Sequence, residues 1–294
     1  MMSGHYSFTS CFAPFIESMI TEKRNAGFQY EHAEWILHKF DEFCNQEQVE
    51  TPVITQELAG KWGTLRKTET KVTLAGRISV LRQLSLYMQA YGIKCYVPRN
   101  FTRKSNRSAY VLSIEEIQSL FLEIDSYQPT INAEVFHRLA LEYRILFRIL
   151  FCCGLRVSEA RKLRLDMVDL ENGVLKIYQS KGSNDRLVYL PDDLRQLCCE
   201  YLKIMTVKYK IKSEWFFPAS DPAKVLQVAS VGKRFHRAWE QTPYARERAL
   251  QPTVHSLRHT FVVLRMNEWM KSGVKLDNMM PYLSKYLGHS SPDD

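Results

Sequence analysis

Apolar residues recur at three- and four-residue intervals along the first ninety or so positions, the pattern of helices that each bury one face. Phe12, Phe15, Ile16, Met19 and Ile20 share one such face, and Ala33, Ile36, Leu37, Phe40 and Phe43 share another. A short helix is expected over 54–65. A longer one is expected over Lys71–Ala90, with Ile78, Leu81, Leu84 and Met88 inward and Gly92 closing its last turn. Together these predict a small helical bundle over residues 1–95.

The pattern then lapses. Residues 96–110 carry Arg99, Arg103, Lys104 and Arg107 with no acid, which is how a linker is composed. Whether these charges are merely solvated or rest on phosphates stays open at this point.

A second domain is expected over 111–294. Ser113 is placed to cap a helix through Glu116 and Leu120. Val135, Leu139, Ile145, Leu146, Ile149 and Leu150 make 134–153 apolar around much of its circumference, so this helix should be central, and Gly154 ends it. After a short helix over 158–163 the period changes to two. Strands are expected over 174–178 and 186–190, joined by a turn over 180–185. From 192 onward the periodicity is helical again, with breaks at Phe217-Pro218, Gln251-Pro252 and Met280-Pro281. The fold class is mainly α with a small antiparallel β-sheet, an α+β arrangement.

Composition narrows the function. With 294 residues, 45% hydrophobic and 24% charged, the chain can bury two cores. Its net charge of +8 suits a polyanionic partner, though many ordinary proteins share it. Seven cysteines, odd in number and without a Cys-x-x-Cys spacing, read as reduced thiols in a cytoplasmic protein. The longest apolar run, from Ile145 to Leu155, contains Arg148 and is well short of the roughly twenty residues a bilayer span needs. No membrane anchor is expected, and the first ten residues lack a signal-peptide pattern.

Gly-x-Gly-x-x-Gly, Walker, His-Glu-x-x-His and Gly-x-Ser-x-Gly motifs are all missing, which removes support for nucleotide, zinc-protease and serine-hydrolase readings. Asp192-Asp193 and the pair Asp166 and Asp169 sit where solvated or capping acids usually sit, so neither metal nor cofactor is expected. The remaining candidates are basic. Arg156, in Gly154-Leu-Arg-Val-Ser-Glu159, emerges at a helix junction where it could hold an anion or simply pair with Glu159. His255 and Arg258 share one face at the start of a helix, as a phosphate cradle or as a capping His beside a solvated Arg. Lys181 occupies the hairpin tip, and His289, in Leu287-Gly-His-Ser-Ser291, follows a helix end; either could be an ordinary surface residue.

In order along the chain, Gly-Leu-Arg-Val-Ser-Glu, the Ser-Lys-Gly hairpin, His-Ser-Leu-Arg-His-Thr-Phe and Leu-Gly-His-Ser-Ser resemble the tyrosine recombinase, or phage-type integrase, family. The resemblance implies an N-terminal core-binding domain that clamps DNA and a C-terminal catalytic domain. It implies site-specific recombination or integration of a mobile element, by strand cleavage and rejoining through a 3′-phosphotyrosine intermediate. Arg156 and Arg258 would grip the non-bridging oxygens of one phosphate, and Lys181 would protonate the departing 5′ oxygen. His255 and His289 would donate to the phosphate or handle the nucleophile's proton, and Glu159 would support the network. The partner would be duplex DNA with inverted-repeat core sites, bound by a homo-oligomer, dimer to tetramer.

The family's nucleophilic tyrosine lies about nine positions beyond the residue matched by His289, and no tyrosine follows His289 in these 294 residues. Tyr282 and Tyr286 precede the motif and are poor substitutes. The expectation is a recombinase truncated before its nucleophile. Two other functions stay open, a DNA-binding protein that occupies recombination sites without cleaving them and a type IB topoisomerase-like enzyme.

Overall fold

The computed structural model describes residues 6–99, 109–178 and 185–288 and divides the chain into two compact units, 1–107 and 108–294. The first is a bundle of α1 (Ala13–Asn25), α2 (Glu31–Gln46), α3 (Gln56–Trp62) and α4 (Lys71–Ala90). Its core joins Phe12, Ile16 and Met19 of the first face to Leu37 and Phe40 of the second, with Trp62, Leu81, Leu84 and Met88 closing it. Thr55 and Thr70 cap α3 and α4 by accepting from the backbone N–H groups of Leu58 and Thr73. Helical periodicity does not show that Arg77 is buried within α4. Its guanidinium lies over the Trp62 ring, donates to the Trp62 carbonyl and pairs with Glu69 at 2.7 Å, so its charge is compensated where water is excluded.

The second unit is built on α6 (Glu134–Cys152), which packs against α5 (Ile114–Ser126), α7 (Val157–Arg161), α8 (Asp192–Val207) and α11 (Val254–Lys271). Ile145, Leu146, Phe147, Ile149 and Leu150 bury the circumference of α6, and its own Arg138 and Glu142 form a buried ion pair one turn apart. Arg138 also donates to the carbonyl of Ala219 at 2.7 Å and so ties down the loop after Phe217-Pro218. The expected hairpin strands run over β2 (Val174–Ile177) and β3 (Arg186–Tyr189). An unanticipated two-residue strand, β1 (Val168–Asp169), completes an antiparallel sheet in the order β1-β2-β3. Leu175, Ile177 and Val188 face the core.

Helices α9 (Val228–Gln241), α10 (Tyr244–Glu247) and α12 (Leu276–Leu287) complete the unit. The break expected at Met280-Pro281 does not occur, because α12 continues through Pro281. Burial of Leu283 and Leu287 against Phe261 holds the helix together past a residue that withholds a backbone donor and crowds the turn before it. No helix among the described residues is long and apolar enough to cross a membrane.

Candidate active site

The site is assembled where α6 gives way to α7. Gly154 turns the chain with φ +62°, and a Cβ there would lie 2.5 Å from the Phe261 ring of α11. Only glycine permits both the left-handed turn and this approach of the two helices. Arg156 follows in extended conformation as the residue capping α7, and Glu159, three positions on, reaches back to accept from the Arg156 backbone N–H at 2.8 Å. The Arg-x-x-Glu spacing is thus an N-terminal capping arrangement as well as an ion pair, the Arg156 Nη1 lying 3.0 Å from Glu159 Oε1.

Three further segments converge on this junction. Arg258, in the second turn of α11, is buried and donates through Nη1 to the Gly154 carbonyl at 2.7 Å and through Nη2 to the Leu287 carbonyl at 2.8 Å. Helix α12 ends at Gly288, φ +67°, whose carbonyl accepts from Arg156 Nη2 at 3.1 Å. The negative end of α12 therefore faces two guanidiniums, the favourable sense for its dipole. Tyr286 fastens the same turn from the other side, its hydroxyl donating to the Cys153 carbonyl at 3.2 Å. Burial holds its phenol pKa well above the ordinary value, so Tyr286 serves as a neutral donor within the scaffold.

The third segment supplies a residue the motifs did not single out. Arg186, the first residue of β3, places Nη1 3.1 Å from Glu159 Oε1 and Nη2 2.9 Å from Oε2. The available signal was its phase, since Arg186 alternates with Val188 and Leu190 on the strand's buried face, where an Arg needs a partner. Glu159 thus meets Arg156, Arg186 and, at 4.0 Å, Arg258. Three guanidiniums against one carboxylate leave two positive charges in surplus, in a place where the side chains of Arg258, Glu159 and Arg186 are only 5%, 5% and 7% exposed. Arg156, at 22%, is the member most open to an approaching anion.

The titration behaviour follows from this crowding. Burial first, then the charge of Arg156 and the smaller contribution of Arg186, push Arg258 down to about 10 against the opposing attraction of Glu159. Burial would raise Glu159, but hydrogen bonds from Arg186 and from the Arg156 backbone and side chain bring it below the ordinary carboxylate range.

His255 is exposed on the first turn of α11 and stands edge-on to His259, ring centroids 4.6 Å apart. The cap of α11 is Thr253 with Ser256, so His255 is not needed for that purpose. Arg258, which could have been a solvated partner of His255, is instead buried because both Gly154 and Leu287 offer it carbonyls. Arg99 is exposed in the first unit. Lys181, His289, Arg103, Lys104 and Arg107 lie outside the described residues. Asp166 pairs with Arg164 and Asp169 accepts from Asn172, and among the described residues no group of three His, Cys, Asp or Glu is gathered as a metal site. A surplus of guanidinium charge largely shielded from water, with Arg156 partly open, is suited to binding one phosphate diester and stabilising added negative charge on it.

Comparison with known proteins agrees with this chemistry. Residues 112–293 match the model of the phage integrase family. Over 289 residues, spanning 95% of the chain and 90% of the relative, the sequence is 27% identical to integrase/recombinase y4rB of Sinorhizobium fredii. The fold is similar to that of the XerH site-specific recombinase bound to its palindromic difH substrate, with a TM-score of 0.63 and 22% identity over 95% of this chain and 78% of that one. It is also similar to lambda integrase in a tetramer bound to a Holliday junction, with a TM-score of 0.62 and 15% identity over 96% of this chain and 78% of that one.

Proposed function

The chain belongs to the phage integrase family, a family of enzymes that cleave and rejoin DNA, and on that premise we propose how its own residues carry out site-specific recombination. The observation that carries the reading is the convergence of Arg156 and Arg258 with Glu159 on the C-terminal turn of α12. In this reading both guanidiniums hold the non-bridging oxygens of the scissile phosphate, and their fixed planes stabilise the charge that builds as a tyrosine oxygen adds to phosphorus. The bond from phosphorus to the 5′ oxygen breaks, and Lys181 gives that oxygen its proton. His255 and His289 donate to the phosphate or carry the tyrosine's proton, while Glu159 keeps Arg156 in place.

The partner is duplex DNA with inverted-repeat core sites. The palindromic substrate of XerH supports a symmetric site, and the lambda integrase dimer on a core site and tetramer on a Holliday junction support an assembly of two to four copies. Residues 1–95 and 111–294 each contact the duplex, and Arg99, Arg103, Lys104 and Arg107 of the connector 96–110 neutralise backbone phosphates. The seven cysteines, all free, fit work in a reducing cytoplasm.

A nicked suicide site tests the reading. Residues 1–294 bind it without attaching, and a chain carried on to a tyrosine about nine positions past His289 forms a covalent adduct stable to denaturant. An adduct on Tyr282 or Tyr286, or none from the extended chain, overturns it.

A further inference from the structure

Glu159 sits among arginines that the recombination chemistry needs for another anion. A carboxylate at this distance holds Arg156, and it also offsets part of the positive charge that Arg156 and Arg258 offer the DNA phosphate. Arg186 meets that carboxylate with both terminal nitrogens, at 3.1 and 2.9 Å, one on each oxygen. This fork-to-fork pairing is the strongest arrangement the two groups can make. With both Nη atoms turned to Glu159 and the side chain 7% exposed, Arg186 faces the carboxylate and not the solvent from which DNA arrives. It also backs the turn that ends α12, since a Cβ on Gly288 would meet Arg186 Nη1 at 2.8 Å and Arg156 Nη1 at 3.5 Å.

We propose that Arg186 is a positioning residue that offsets the charge of Glu159, so that the carboxylate can hold Arg156 in place without cancelling the positive charge that Arg156 and Arg258 present to the scissile phosphate. Its role, which rests on the recombinase reading above, is one of charge balance. With Arg186 the cluster carries two surplus positive charges, matching the two negative charges of a phosphodiester once the nucleophile's oxyanion has added. Without it one remains, and the charge of Glu159 falls on Arg156 and Arg258 alone.

The full-length gene product containing these residues is assayed on its suicide site as Arg186→Gln, Arg186→Lys and Arg258→Ala. Three substrates are used: the ordinary phosphate, a scissile methylphosphonate in which one charged oxygen is a methyl group, and a 5′-bridging phosphorothiolate whose leaving group needs no proton. On phosphate, Arg186→Gln lowers cleavage roughly a hundredfold with DNA binding held within about twofold. The deficit shrinks at least about tenfold on the methylphosphonate, where there is less charge to stabilise, and persists on the phosphorothiolate. Arg186→Lys, which keeps the charge without the fork, falls between and provides the same comparison should the Gln variant fold poorly.

Equal deficits on phosphate and methylphosphonate would make Arg186 purely structural, and rescue on the phosphorothiolate would place its effect on the leaving group; either overturns the proposal. Parental cleavage by Arg186→Gln while Arg258→Ala is inactive overturns it alone. Parental cleavage by Arg258→Ala overturns the recombinase site itself.

Discussion

Arg258 Nη1 donates a 2.7 Å hydrogen bond to the carbonyl of Gly154, 104 positions earlier in the chain. The bond ties the second turn of α11 to the turn between α6 and α7 and sets the plane of a buried guanidinium beside Arg156. Each functional arginine is held by backbone carbonyls as well as by Glu159, so its geometry is set before any DNA arrives.

Arg258→Ala in the full-length gene product should bind its site nearly as well as the parent, because one phosphate is a small part of a long backbone footprint. Cleavage should fall by roughly a hundredfold or more, the scale of losing a preorganised donor. Filter binding and adduct yield on the same suicide substrate check both. Parallel losses in the two would assign Arg258 to general affinity.

Gly154→Ala should destabilise the second unit by about 2–4 kcal/mol, from a methyl group driven into the Phe261 ring and a left-handed turn imposed on alanine. Denaturant unfolding monitored by the second unit's hydrogen exchange gives the number. Cleavage should fall with it, since the Gly154 carbonyl is one of Arg258's anchors.

Glu159 titrates below the ordinary carboxylate range in the folded chain. A depressed carboxylate contributes stability that is present above its unfolded value and lost as pH falls through the folded one. Unfolding free energy of the second unit should therefore fall with acid below that range, and Glu159→Gln should flatten this acid limb. At neutral pH the same variant should cost about 3–5 kcal/mol, because buried Arg186 loses its counter-charge. An acid limb unchanged in the Gln variant would assign the loss to other carboxylates.

Replacing Arg103, Lys104 and Arg107 together by alanine should flatten the dependence of log binding constant on log salt by roughly two to three units, near 0.9 per phosphate contact. Titrations of a labelled duplex at stepped salt measure the slope. An unchanged slope would reduce 96–110 to a tether.

Periodicity along the chain was sufficient for α1 to α4, for the central α6 and for the β2–β3 pair, because burial of one face repeats every 3.6 or every two residues whatever the helix or strand packs against. The pairing of Arg156 with Glu159 was legible for the same reason, being contained within four positions, whereas the capping role of Arg156 was not, because the helix was expected to start at 158 and starts at Val157. Pro281 misled because a local rule about one missing donor was outweighed by apolar contacts from α11, which no window around residue 281 contains. The pairing of Arg186 with Glu159, the burial of Arg258 and the use of the α12 carbonyls depend on segments 27 to 132 positions apart meeting at one point. A sequence can state that an arginine is present, and even that it falls on a buried face. Which carbonyl or carboxylate compensates it is decided only when the helices close, since a charge leaves water only where a partner from elsewhere in the fold is already in place.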